Sequence, residues 1–254
     1  MADSKVAEAT TASKPAAAPG AAAPVLSVQN LQAWYGESHI LHGIDFNVKA
    51  GEVVTLLGRN GAGKTTTLKS VMGIIGKRTG SIRFGGQDII RTSSDRIARM
   101  GVAFCPEERG IFASLSVREN LLLPPVVRSG GLSLEQIFEL FPNLKERLNS
   151  QGTKLSGGEQ QMLAIARILR TGARFLMLDE PTEGLAPVII QQIGHTIARL
   201  KKEGFTILLV EQNFRFAATV ADRYYIVEHG KIIDGFANAE LSANMDKLHT
   251  YLGV

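Results

Sequence analysis

A glycine-rich loop is the feature that most constrains how this 254-residue chain can fold. The segment GRNGAGKT runs from Gly58 to Thr65 and fits the pattern G-x-x-x-x-G-K-[S/T]. It follows the apolar run EVVTLLG and opens a helical stretch, which is the strand–loop–helix context that the pattern requires. That context disfavours a glycine-rich turn that binds nothing. The loop therefore predicts an α/β protein that binds the phosphates of a nucleotide.

The residue types in this loop suit phosphate binding. Glycines let backbone N–H groups curl around the α- and β-phosphates, and the N-terminus of the following helix adds a favourable dipole. Lys64 can reach the β- and γ-phosphate oxygens, and the Thr65 hydroxyl can ligate Mg²⁺. The nucleotide-binding residues that we expect here are Gly58, Asn60, Gly61, Gly63, Lys64, Thr65 and Thr66.

Apolar runs typical of buried strands alternate with helical patterns along most of the chain. The runs EVVTLLG, GVAFCP, RFLMLDE and FTILLVEQ favour a mostly parallel sheet covered on both faces. SIRF and QDII flank Gly85-Gly86, which predicts a hairpin. PVIIQQIGHTIARL has the periodicity of an amphipathic helix with Pro187 in its first turn. Residues 108–154 carry short helical runs broken by proline and glycine, and they predict an inserted helical lobe.

Composition excludes several classes of protein. No apolar run approaches the roughly 20 residues of a membrane-spanning helix, so we expect the chain to dock onto membrane proteins at most. The net charge is only +4 and the Lys and Arg residues are scattered, which argues against nucleic acid as a partner. Cys105 is the only cysteine, so a disulfide within the chain is impossible. Residues 1–24 are rich in Ala and Pro, and we expect a disordered tail there.

A later apolar run, FLMLDE, ends in the acids Asp179 and Glu180. Phosphoryl transfer needs mainly a metal, a clamp and an oriented nucleophile. Asp179 can hold Mg²⁺ through water, and Glu180 is placed to accept a proton from the attacking water. Acids at a strand end are also common as solvated charges. Their position after four apolar residues, downstream of the phosphate-binding loop, favours the catalytic interpretation.

The segment LSGGEQQ, residues 155–161, predicts a second anion-binding helix terminus. Ser156 and Glu159 form a capping-box pattern, so the helix would begin at Gly157 with free N–H groups from Gly157 and Gly158. One γ-phosphate does not need two remote cradles on one chain, whereas two chains placed head to tail would bring both cradles to the same nucleotide. An ordinary capped helix with glycines for close packing explains the spacing equally well.

The loop, LSGGEQQ and LMLDE, in this order and spacing, resemble the ATP-binding subunits of ABC transporters over residues 25–254. The resemblance implies an α/β P-loop NTPase with a mostly parallel core sheet, an antiparallel β subdomain and a helical subdomain inserted at about residues 108–172. It implies ATP and Mg²⁺ as ligands. The implied partners are integral membrane permease subunits, a second ABC ATPase subunit and, indirectly, a periplasmic solute-binding protein. The implied location is the cytoplasmic face of the bacterial inner membrane, with the chain peripheral.

The resemblance also assigns roles to particular residues. In this family an aromatic residue before the first core strand stacks on adenine, and the segment WYG places Tyr35 there. Trp34 competes for this role, but as a neighbour on a strand it should point to the other face. Residues 156–158 match the signature that contacts ATP bound to the partner subunit, and Glu180 matches the catalytic base.

Three positions depart from the commonest family pattern. Glu107 in CPEERG stands where Gln is usual, and its carboxylate can still bind the metal, although its charge would alter coupling to the membrane partner. Gln212 in LLVEQN stands where a catalytic His is usual, and Gln can hydrogen-bond the γ-phosphate but cannot carry a proton. Ala186 in PTEGLAP replaces the usual Asp. These departures concern the rate of hydrolysis and the proton path rather than nucleotide binding.

Other segments narrow the expected function. PEERGIF, PTEGLAP and LLVEQN together resemble the ATPases of high-affinity branched-chain amino-acid importers, of the LivF type. ILHGIDFNVKAGEV and NFRFAATVADRY resemble the urea or short-amide group, which stays open as an alternative. A soluble ABC-type ATPase acting on nucleic acid or ribosomes is less favoured, because the insertion is too short and broken for the coiled coil that such relatives carry. Gln212 suggests a binding-only regulatory module, and Glu180 argues against it.

A few remaining side chains carry weaker predictions. We expect His39 and His42 to be packed or solvated rather than metal-bound, since no carboxylate cluster lies nearby in the sequence. Cys105 reads as a small buried core residue. Ile111 and Phe112 would lie where a membrane-subunit helix docks in the family, or else they fill the core of the helical lobe. The two interpretations are equally supported.

Overall fold

The computed structural model of the protein describes residues 23–253, and its strands form two sheets. The tail expected at residues 1–24 lies outside this part, apart from its last two residues. The strands are β1 (Leu26–Tyr35), β2 (Ser38–Val48), β3 (Val53–Leu57), β4 (Lys77–Phe84), β5 (Gln87–Asp88), β6 (Val102–Cys105), β7 (Phe175–Asp179), β8 (Thr206–Glu211), β9 (Arg223–Glu228) and β10 (Lys231–Ala237). The α-helices are α1 (Lys64–Val71), α2 (Ser94–Arg99), α3 (Val117–Leu122), α4 (Leu134–Leu140), α5 (Pro142–Glu146), α6 (Gly157–Leu169), α7 (Pro187–Lys202), α8 (Phe214–Val220) and α9 (Met245–Leu252).

The larger sheet is the core of the protein. Its strands lie in the order β10-β9-β3-β8-β7-β6, and all pairs in it are parallel except the hairpin of β9 and β10. Every residue of β3, β7 and β8 is buried, as expected for strands covered on both faces. The predicted mostly parallel sheet is confirmed.

The register of this sheet brings the ends of three strands together. Leu57 at the end of β3 lies opposite Glu211 at the end of β8, and Asp179 at the end of β7 lies opposite Val210. Parallel strands present their carboxyl ends at one edge of a sheet, which is where ligands bind in open α/β folds. The segments that follow β3, β7 and β8 therefore converge on one site.

The smaller sheet is antiparallel, with the order β2-β1-β4-β5. The hairpin predicted at Gly85-Gly86 joins β4 to β5, and both glycines have positive φ, as a tight turn requires. This sheet packs its apolar residues, among them Leu31, Ile44 and Ile82, against the face of the core sheet. The last residue of β1 in this sheet is Tyr35, which lies beside the phosphate-binding loop.

The segment between β6 and β7 is helical. α3, α4 and α6 each begin with a capping box, formed by the pairs Ser116–Glu119, Ser133–Gln136 and Ser156–Glu159. These helices share one apolar core with the neighbouring face of the main sheet. The insertion of a helical segment is thus present, while its limits at residues 108–172 as a subdomain stay a prediction.

Helix α7 follows the sequence pattern closely. Pro187 occupies its first turn, and Ile193, Ile197 and Leu200 are buried while Ile190 is partly buried. Within residues 23–253, no helix has both the length and the apolar character needed to cross a membrane.

Candidate functional site

Glycines shape the loop between β3 and α1. A side chain at Gly58 would collide with the carbonyl oxygen of Val227, and Gly63 precedes α1 with a φ of 107°, which L side chains rarely adopt. The loop therefore joins a buried strand to a helix N-terminus in a path that other residues would not follow. This is the arrangement that the sequence predicts.

The loop lines a cavity of about 400 Å³ at the carboxyl edge of the core sheet. Most of its wall consists of residues predicted from the sequence, with Ile40 and Glu183 added by the fold. The lining residues are Tyr35, Ile40, Asn60, Gly61, Gly63, Lys64, Thr65, Thr66, Glu107, Glu180 and Glu183. Gly58 does not line this cavity, but its carbonyl oxygen accepts a hydrogen bond from Lys64 Nζ at 2.9 Å.

The two aromatic candidates for adenine stacking lie apart. Tyr35 is 49% exposed and forms part of the cavity wall. Trp34 is not part of that wall and stacks on His39, with ring centroids 4.3 Å apart. The alternation of side chains along β1 produces this separation, so of the two only Tyr35 contributes to the cavity wall.

Glu180 is in direct contact with the lysine of the loop. Lys64 Nζ and Glu180 Oε1 are 3.0 Å apart, and both side chains are largely buried. The Glu180 backbone has a φ of 43°, in the left-handed region, and its N–H donates to the carbonyl oxygen of Val210 at 3.0 Å. Such a backbone costs about 1–3 kcal/mol in a non-glycine residue and is typical of functional sites.

Thr65 and Asp179 form an oxygen-rich pair that fits Mg²⁺. The Thr65 hydroxyl donates to Asp179 Oδ1 at 3.0 Å, while Asp179 Oδ2 is buried without a hydrogen-bond partner. Burial raises the pKa of Asp179 to about 6, and the charges of Glu180 and Glu107 act in the same direction. A hard divalent cation would satisfy the unpartnered oxygen and offset this crowding of carboxylates.

Glu107 faces the same cavity from the segment after β6. Burial and then the neighbouring charges of Glu183 and Glu180 raise its pKa. Across residues 23–253 no cluster of three or more His, Cys, Asp or Glu residues could hold a metal by itself. Mg²⁺ commonly takes one or two protein carboxylates together with substrate phosphates, and these side chains fit that mode.

Gln212 lies near Glu180, but in the wall of a second cavity. It is exposed and lines an adjoining cavity of about 610 Å³, whose wall also includes Asn60, Glu180 and Glu183. The preceding residue, Glu211, was not predicted as a site residue. It is buried at the end of β8, and burial raises its pKa to about 7. An acid directly after an apolar run, as at Asp179, is the signal that could have found it.

The signature residues lie away from the loop cavity. Ser156 Oγ accepts from Glu159 N at 3.3 Å, which confirms the capping box, and residues 156–158 are not among those that line the cavity. A Cβ on Gly158 would lie 2.8 Å from Ile189 Cγ1, so close packing against this side chain favours glycine at position 158. The atoms nearest to a Cβ on Gly157 would be those of the Arg109 guanidinium, at 3.4 Å or more. Packing therefore explains the glycine at position 158 but not the glycine at position 157.

The weaker predictions have mixed outcomes. Cys105 is buried, as expected. His39 and His42 pack on each other, with ring centroids 4.1 Å apart. Ile111 is partly buried against the core of the helical segment, whereas Phe112 is 46% exposed. Ile111 therefore packs against the core of the helical segment, Phe112 does not, and docking of a membrane subunit at these residues stays a prediction.

Comparison with known proteins decides the family. The family model described as ABC transporter matches residues 41–183, which is more than half of the chain. The chain belongs to the ABC transporter family. It is the ATP-binding component of that family, because its relatives along nearly the whole length are ATP-binding proteins of transport systems.

Three of these relatives are similar in sequence to this ABC protein along most of its length. BraG of Pseudomonas aeruginosa, named for high-affinity branched-chain amino acid transport, is 42% identical over 232 residues, covering 90% of this chain and 100% of BraG. LivF of Archaeoglobus fulgidus, named as a probable branched-chain amino acid transport ATP-binding protein, is 35% identical, covering 84% and 93% of the two chains. LptB of Escherichia coli K12, of the lipopolysaccharide export system, is 35% identical, covering 90% and 97%.

Solved structures share the ABC ATPase fold. A nucleotide-free ATP-binding cassette from an ABC transporter superposes with a TM-score of 0.78 at 23% identity, covering 91% of this chain and 99% of the other. An ATP-binding subunit of an ABC transporter superposes with a TM-score of 0.74 at 27% identity, covering 91% and 100%. The expected P-loop fold with a parallel core and an antiparallel sheet is confirmed.

Proposed function

We propose that this chain is the ATP-binding and ATP-hydrolysing subunit of an ABC importer for branched-chain amino acids. The observation that carries the proposal is the convergence of the phosphate-binding loop, the Thr65–Asp179 pair and Glu180 on one cavity. The solute class is supported by the relatives BraG and LivF, both named for branched-chain amino acid transport.

In this proposal the loop amides and Lys64 bind the triphosphate of ATP, and Tyr35 stacks on the adenine. Thr65, Asp179 and Glu107 would hold Mg²⁺, whose charge offsets that of the phosphates. Glu180 accepts the proton of the attacking water. Its present contact with Lys64, at 3.0 Å, would be released when Lys64 turns to a phosphate oxygen. Gln212 would hydrogen-bond the γ-phosphate without moving a proton.

The signature residues would act on a second subunit. The Gly157 N–H lies at the N-terminus of α6, a 13-residue helix whose capping box orients the first turn. Since residues 156–158 do not line the loop cavity of their own chain, a head-to-tail pair of ABC ATPase subunits would bring them to ATP held by the other subunit. Either an identical or a different chain could form this pair.

The membrane partner would dock beside the helical segment. A groove there is lined largely by apolar side chains, which are Met72, Ile74, Ala98, Val102, Ala103, Phe104, Pro125, Val127 and Ile168. Ile74 and Phe112 are large apolar residues left exposed near this segment. Such a surface suits integral membrane permease subunits, with this chain peripheral at the cytoplasmic face of a bacterial inner membrane and a periplasmic solute-binding protein supplying the solute.

The substitution Glu180→Gln tests the role of the proposed base. Phosphate release from Mg-ATP should fall by about a hundredfold or more, because the amide cannot accept a proton, while ATP binding persists. Glu183→Gln removes a charge from the same cavity wall without touching the contact with Lys64, and it should slow hydrolysis far less. An unchanged rate in Glu180→Gln would exclude Glu180 as the base.

Uptake measurements test the solute. Deleting the gene in its host should reduce the uptake of labelled leucine, isoleucine and valine, and restoring the wild-type chain, but not Glu180→Gln, should recover it. Loss of urea or short-amide uptake instead would support the alternative solute class. Unchanged uptake of all of these compounds would contradict the importer assignment.

A further inference from the structure

One buried carboxylate near the site accepts hydrogen bonds from two different loops. Glu211 is only 2% exposed and closes β8. Its Oε1 accepts from the Thr182 hydroxyl at 2.8 Å, and its Oε2 accepts from the backbone N–H of Asn213 at 3.3 Å. Thr182 belongs to the loop after β7 and Asn213 to the loop after β8, so the carboxylate joins the two.

Each of these loops carries a residue assigned to hydrolysis. Thr182 is 4% exposed and lies two residues after Glu180, whose backbone φ of 43° is unfavourable for any residue other than glycine. Asn213 directly follows Gln212 and caps α8, because its side-chain oxygen accepts from Phe216 N at 3.1 Å. A strained backbone persists only where its surroundings restrain it, and the bond to Thr182 is such a restraint.

The chemistry of the contact favours a carboxyl group. A buried polar group is costly unless it is hydrogen-bonded, and both oxygens of Glu211 have donors. A carboxylate accepts at both oxygens, whereas an amide would turn an N–H₂ group toward one of the donors. Burial, and to a lesser degree the charge of Glu180, raise the pKa of Glu211 to about 7. This energetic disadvantage indicates a role other than stability.

We propose that Glu211 is a positioning residue for ATP hydrolysis, which holds the loop after Glu180 and the loop that carries Gln212 in one fixed arrangement. The inference rests on the proposed function, because it assigns Glu180 as the base that is positioned. The carboxyl of Glu211 acts through Thr182 on the direction of the Glu180 side chain. Loss of the link should slow the chemical step and leave ATP binding intact.

Substitutions of Thr182 test this role in the purified transporter, assembled from this chain, its second ATPase subunit and the permease subunits, with Mg-ATP. Thr182→Val removes the hydroxyl at nearly constant volume and should lower kcat by about tenfold or more with the KM for ATP nearly unchanged. Thr182→Ser keeps the donor and should recover most of the rate. Thr196→Val is the matched control, because Thr196 is equally buried but donates to Gln192 O within α7.

The outcomes separate the inference from the function on which it rests. If the transporter assembled with the wild-type chain releases no phosphate, or releases it no faster than the one assembled with Glu180→Gln, the proposed function fails. If Glu180→Gln is slow but Thr182→Val keeps the wild-type kcat, or Thr182→Ser is as slow as Thr182→Val, only the role of Glu211 fails. Should circular dichroism show Thr182→Val unfolded, Glu211→Leu, which removes the acceptor of the Thr182 hydroxyl and places an apolar side chain in the buried position, decides by the same comparison of kcat with KM. A rate like the wild type in that variant overturns the inference.

Discussion

The buried charge of Glu211 opposes folding, so a neutral replacement should stabilise the protein increasingly as the pH rises. Burial raises the pKa of this carboxyl from 4.5 to about 7, and the charge of Glu180 acts in the same direction. Glutamine has nearly the same volume as glutamate and keeps an oxygen to accept from Thr182. Glu211→Gln therefore removes the charge with little change in packing.

The sign follows from proton linkage. Because the pKa is higher in the folded than in the unfolded protein, the folded state binds the proton more tightly. The stabilisation of the folded state by this proton is complete below about pH 4.5 and is lost as the pH rises through about 7. The difference in pKa corresponds to about 3 kcal/mol in the free energy of unfolding, of which about 2 kcal/mol falls between about pH 5 and about pH 8.

Urea unfolding of the wild type and of Glu211→Gln at several pH values in this range measures the effect. The variant should gain about 2 kcal/mol relative to the wild type from the lowest to the highest pH. The raised pKa values of Asp179 and Glu107 cancel, since both proteins contain these residues. An amide N–H₂ facing the N–H of Asn213 adds a penalty that does not vary with pH, so the slope is the test. A difference that stays constant across the range would refute the reasoning.

The remaining predictions concern the signature glycines and the aromatic residue of the cavity. Gly158→Ala should lower the free energy of unfolding by about 1–3 kcal/mol through overpacking against Ile189, whereas Gly157→Ala should change it by less than about 1 kcal/mol, because only the flexible end of Arg109 lies near. Urea unfolding measures both, and equal losses would contradict the packing argument. Tyr35→Ala should raise the KM for ATP by about tenfold through lost stacking and leave kcat nearly unchanged in steady-state kinetics. Tyr35→Phe keeps the aromatic ring and should change neither constant much. An unchanged KM would remove Tyr35 from the nucleotide site.

The parts of the protein that depend on neighbours in the chain could be predicted from the sequence. The phosphate-binding loop, the capping box at Ser156, the hairpin at Gly85-Gly86 and the buried strands ending in Leu57 and Asp179 depend on residues only a few positions apart. Their chemistry is local, because a backbone conformation, a helix terminus or an apolar strand is specified within a short segment.

The contacts across the sheet could not be predicted in this way. The hydrogen bond between Thr182 and Glu211 spans 29 residues, and the clash that keeps Gly158 small comes from Ile189 on another helix. The periodicity of apolar residues does not predict that β8 lies between β3 and β7. That strand order is what brings Glu211 to the loop after Glu180. The sequence by itself determined which segments can bind phosphate and begin helices, since those properties are local. Only the tertiary structure decided which buried acid supports the base, because that depends on which strands are neighbours.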